Sequence, residues 1–193
     1  DRRASNAKVV GSIPTPDTKN MIELEKNYLV KYLPPNLEKC ESKEVIDIYL
    51  PKEAIHPTLR IRKNGNNYEI TKKEPITEED ASSQTEQTIP LKESEFLALS
   101  RVDGNRLSKI RYFYPYNNRI GEIGIFQEAL SGLVLVDFEF KTPEEKESFK
   151  MPEFCLADVT QEEFLAGGML CGKSYQDIEE RLKKLSYSPI VIS

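Results

Sequence analysis

Four short stretches place like charges at alternating positions. Glu23, Glu25 and Asn27 alternate with Ile22, Leu24 and Tyr28; Arg60 and Arg62 alternate with Leu59 and Ile61; Lys109 and Arg111 alternate with Ile110 and Tyr112. Asp137 and Glu139 alternate with Val136, Phe138 and Phe140. Successive residues of a β-strand point to opposite faces, so each stretch has one apolar and one charged face. A half-exposed sheet with its charges in water explains any one of them. Together they are grouped by sign, and a solvated face mixes Thr, Ser, Gln and Lys with little order. If the sheet closes, the charges line its interior, where they are costly unless a ligand or metal matches them. Arginines and lysines suit phosphate oxygens and clustered carboxylates suit a hard cation, which together describe a metal-bound polyphosphate.

The elements that must position these residues follow from local signals. Eight β-prone runs are expected over 22–30, 44–50, 58–63, 67–73, 82–89, 107–114, 120–126 and 133–140. Asn64-Gly65-Asn66 and Asn117-Asn118 mark tight reversals, so neighbouring strands are antiparallel. Helices are expected over 91–100, after the Thr142-Pro143 cap, after Thr160 with Glu163, and after Ser174. The fold class is therefore mainly β (α+β): an eight-stranded antiparallel closed barrel, a tunnel with helices packed outside. Residues 1–20 lack periodicity and are expected to be a disordered or expression-derived tail, leaving 21–193 as one domain.

Inventory narrows the chemistry. One histidine, His56, excludes a histidine dyad or a histidine-rich metal site, and His56 itself, ahead of Pro57, reads as a turn or surface residue. The net charge of −5 argues against general nucleic-acid binding, which needs a positive footprint. Cys40, Cys155 and Cys171 are too widely spaced for a disulfide frame or zinc site and are expected to be reduced thiols. No apolar run is long enough to span a bilayer and no signal-like start is present, so a cytoplasmic protein without membrane contact is expected. Gly167-Gly168 is read as a flexible connection, because no strand leads into a P-loop pattern.

In this setting the sequence resembles the CYTH superfamily, the triphosphate tunnel metalloenzymes, which include inorganic triphosphatases, thiamine triphosphatases and class IV adenylyl cyclases. Glu23-Leu24-Glu25 resembles the opening E-x-E-x-K strand, Arg60-Ile61-Arg62 the R-x-R strand, Thr71-Lys72-Lys73 the T-x-K strand and Glu86 a glutamate of the fifth strand. Lys109-Ile110-Arg111-Tyr112 resembles K-x-R-Y, Asp137-Phe138-Glu139-Phe140 the strand ending E-x-E-F, and Asp158-Val159-Thr160 the E-V-T segment. Chance matches do not keep this order.

The resemblance implies divalent-metal-dependent hydrolysis of inorganic triphosphate or an organic triphosphate. It implies Glu23, Glu25 and Glu139 as catalytic, with Glu23, Glu25, Asp137 and Glu139 holding Mg2+ or Mn2+. Arg60, Arg62, Lys73, Lys109 and Arg111 then bind phosphate, with Glu86, Glu122 and Lys72 in support. The partner implied is a triphosphate-containing small molecule or inorganic polyphosphate, and many relatives are homodimers. Two departures bear on activity: Asn27 stands where the family has lysine, and Gly124 where it usually has aspartate. They favour, as the alternative, a weakened or inactive polyphosphate- or nucleotide-binding module; an adenylyl cyclase uses the same residues on ATP.

Overall fold

A computed structural model describes residues 21–77 and 80–191, with the side chains of 21–23 and 75–84 outside the description. The expected tail, 1–20, lies outside the described residues. Strands β1 (Met21–Val30), β2 (Ser42–Leu50), β3 (Leu59–Asn64), β4 (Asn67–Thr77), β5 (Asp80–Leu91), β6 (Asn105–Tyr116), β7 (Arg119–Phe126), β8 (Val134–Phe140) and β9 (Cys155–Asp158) form one antiparallel sheet. Its order is β5-β4-β3-β2-β6-β7-β8-β1-β9, and β1 also pairs β5, from Met21↔Glu86 to Leu24↔Ser83.

Each expected strand forms, and the two reversals fall at Gly65, with φ of +60°, and Asn117, with φ of +52°. The expected count of eight becomes nine in the described sheet because Cys155–Asp158 joins β1, with Tyr28↔Asp158 and Leu29↔Ala157 in register. Four residues are too few to show strand periodicity, so this pairing was not readable locally.

The apolar strand faces are covered from outside. Tyr28, Val136, Phe138 and Phe140 pack with Phe154, and Phe149 joins this group at the end of α2 (Pro143–Ser148). The Thr142 hydroxyl accepts from the Glu145 amide and Pro143 opens the helix, as its residue types dictate. Ile48 and Ile61 are covered by Phe96 of α1 (Glu93–Leu99). A third cluster lies instead on the same strand faces as the charges, joining Leu29, Tyr49, Leu107, Phe126 and Leu135 to Phe164, Leu170 of α3 (Gly167–Leu170), and Ile178 and Leu182 of α4 (Tyr175–Lys184). Ser174 caps α4 in a reciprocal box with Asp177.

The expected cap at Thr160 is corrected. Its hydroxyl accepts from the Asn27 amide at 3.1 Å and donates to Asp158 at 2.5 Å, so it fastens β9 to β1 rather than starting a helix. The chain instead makes one 3-10 turn, Glu163–Leu165. No helix among the described residues is long and apolar enough to cross a membrane.

Candidate functional site: a charged chamber inside the sheet

The charged strand faces, with Tyr49, Leu107, Phe126 and Leu135 of the third cluster beside them, meet around a cavity of about 730 Å³, to which every strand from β1 to β8 contributes. Arg60, Arg62, Lys73, Lys109 and Arg111 line it, as do Glu25, Glu86, Glu122, Asp137 and Glu139. Glu23 is placed by its backbone alone, opposite Gln84. Lys72 lies outside the lining: alternation turns it to the other face of β4, where it pairs with Glu74 at 2.9 Å. Arg60 and Arg62 are each only 8% exposed, which rules out a solvated charged face at β3.

Asp47, unremarked in the sequence, is the most buried charge of the site at 1% exposure. It accepts from Arg62 Nε at 2.6 Å and Nη2 at 2.8 Å, and lies 3.9 Å from Arg60 Nε. Burial opposes its ionisation, but the charge and hydrogen bonds of Arg62, with Arg60 and Lys109 behind them, hold the carboxyl below its ordinary range. A signal was present: a lone acid in Val45-Ile46-Asp47-Ile48-Tyr49, on the face it shares with Val45 and Tyr49.

Further ion pairs order the remaining cations. Lys73 meets Glu86 at 2.9 Å, Arg111 meets Glu122 at 2.6 Å, and Lys109 stands 4.0 Å from Asp137. Burial, and then the neighbouring Arg111, push the Lys109 ammonium down to about 8 against the opposing pull of Asp137. Two guanidinium donors, Arg60 Nε and Arg111 Nε, are buried and find no acceptor in the protein. Leaving a buried donor unmet costs about 1–3 kcal/mol, more when it is charged, so these groups are poised for an anion with several oxygens.

The opposite wall is acidic. Glu25 and Glu139 are direct cross-strand partners, and Asp137 faces Asn27. Like charges so opposed are destabilising, and hard oxygen donors of this kind fit a divalent cation. Among the described residues no three His, Cys, Asp or Glu side chains already converge to hold a metal. The Asn27 amide donates to Glu25 at 3.3 Å.

One rim was not anticipated. His56, read as a turn residue, lies 3.1 Å from Glu163, and both line the cavity with Pro57, Gly167 and Gly168. A Cβ on Gly168 would stand 2.7 Å from the Pro57 carbonyl oxygen, so the glycine is required by close backbone approach rather than by flexibility.

No family model matches the chain. An inorganic triphosphatase of Nitrosomonas europaea is 27% identical over 144 residues, covering 74% of this chain and 91% of that protein. This similarity agrees with the resemblance to the CYTH superfamily. A crystal structure of an inorganic triphosphatase shares this chain's fold at a TM-score of 0.57, 23% identical, over 77% of this chain and 93% of that one. A second crystal structure of that same protein does so at a TM-score of 0.59, 24% identical, over 79% and 99%.

Proposed function

We propose that this protein is a CYTH-type enzyme that hydrolyses a triphosphate, inorganic or organic, in a chamber formed by β1 to β8 closed as an eight-stranded tunnel. The pairing of β1 with β5 supports closure, since it joins the two ends of the β5-to-β1 order. The observation that carries the reading is the pair of buried, unmet guanidinium donors on Arg60 and Arg111, in a cavity also lined by Arg62, Lys73 and Lys109. A triphosphate supplies the oxygens these donors lack. The relative that is an inorganic triphosphatase supports the same substrate class.

In this reading the five basic residues bind and orient the phosphate oxygens and offset the charge that builds on them as the phosphoryl group transfers. Glu122 and Glu86 hold Arg111 and Lys73 in place. Glu23, Glu25, Asp137 and Glu139 would hold Mg2+ or Mn2+, the opposed Glu25 and Glu139 being the feature of the donor set that fits a cation. When bound, such a cation supplies Lewis-acid activation.

The test is release of orthophosphate from tripolyphosphate with Mg2+ or Mn2+, beside calorimetric binding. Arg60→Ala removes a charge-assisted contact of about 1.5–3 kcal/mol and is expected to weaken tripolyphosphate roughly 10- to 100-fold. Binding without release identifies a holding module; neither binding nor release overturns the reading.

A further inference from the structure

Gly124, on β7, faces Arg111 of β6 and Leu135 of β8. A Cβ at Gly124 would lie 2.9 Å from Lys109 Cδ and 3.3 Å from Lys109 Nζ. The Lys109 chain therefore occupies the volume that a side chain at 124 would fill. Although Lys109 is paired in register with Phe126, its chain leans back across β7, which leaves Nζ 4.0 Å from Asp137 and 5.4 Å from the centre of the Phe126 ring.

That lean brings charge to a wall that has none of its sign. The residues of β1 and β8 lining the cavity are Glu25, Asn27, Leu135, Asp137 and Glu139, none of them basic. Asp137 has Asn27 on one side and Glu122 on the other as strand partners.

We propose that Gly124 is a positioning residue: its missing side chain opens a notch through which Lys109 reaches the β8 wall and delivers there the positive charge that Asn27 does not carry. Two positions that look like separate losses in the sequence thus act as one compensated pair. Arg111 and Arg62 repel the Lys109 ammonium while Asp137 and Asp47 attract it, so a Lys109 forced out of the notch loses the nearer approach to Asp137. The consequence for substrate rests on the chamber being a triphosphate site; the placement of Lys109 does not.

The experiment has two independent readouts. In the ligand-free protein the Lys109 ε-methylene resonance, identified by its loss in Lys109→Met, is expected to be shifted by the Phe126 ring and to move to the position of exposed lysines in Gly124→Ala. Methylene chains are flexible enough to yield to one Cβ, so this variant is expected to fold; Gly124→Ser is the second variant. With tripolyphosphate, Gly124→Ala is expected to raise KM about tenfold, the scale of one charge-assisted contact, with a smaller change in kcat. Asn27→Lys in the Gly124→Ala background is expected to recover KM, and Gly124→Ala in the Lys109→Met background to add nothing. A resonance unmoved in both 124 variants, or additive effects throughout, overturns the proposal. If the wild type neither binds nor cleaves tripolyphosphate, the triphosphate reading falls and the resonance alone decides the placement.

Discussion

Substituting Asp47→Asn keeps the shape of the side chain and removes its charge. It leaves Arg62 without its bidentate carboxylate and Arg60 without the anion 3.9 Å away, both guanidiniums being 8% exposed. Removing one partner of a buried pair costs about 3–5 kcal/mol, and the lower end applies because both arginines face the cavity rather than a dry core. In a chain of this size each kcal/mol shifts Tm by about 2–4 °C, so a fall of roughly 6–12 °C is expected at that lower end. Calorimetry near neutral pH measures it. Adding Arg62→Met should recover part of the loss, since the orphaned charge is then gone. The pH dependence has a definite sign: because the Asp47 carboxyl is held below its ordinary value of about 3.9, its stabilisation is full above that value and is lost as pH falls through the lower folded value. Wild type and Asp47→Asn should therefore converge in strong acid. A Tm change under about 2 °C, or no recovery on adding Arg62→Met, would refute the reasoning.

Lys109, with its ammonium pushed down to about 8, is charged below that pH and neutral above it. Its contribution to tripolyphosphate binding is expected to fade as pH rises through about 8, by up to tenfold per pH unit, and the Lys109→Met profile isolates this from the ligand's own ionisation; matching profiles would refute it. Burial pushes the Cys155 and Cys171 thiols up to about 12 and 11, so a thiol reagent should modify Cys40 alone in the native protein and all three only on unfolding. Fast labelling of either buried cysteine would count against the packing around it.

The strands and the sign of their charges were legible in the sequence because both depend on neighbours along the chain. Alternation set Arg60 and Arg62 on one face with Leu59 and Ile61 on the other, Asn and Gly marked the reversals, and Thr142-Pro143 and Ser174 announced their helices. The same alternation separates Lys73, in the chamber, from Lys72, outside it. Across-chain relations were not legible. That Asp47 anchors Arg62, that Thr160 clasps Asn27 instead of capping a helix, and that Cys155–Asp158 forms a ninth strand depend on residues brought together from distant positions. Gly124 shows the limit most directly. By itself it is a position without a carboxylate, but in the folded chain the empty volume belongs to Lys109, because a side chain's space is decided by what packs against it rather than by what adjoins it in sequence.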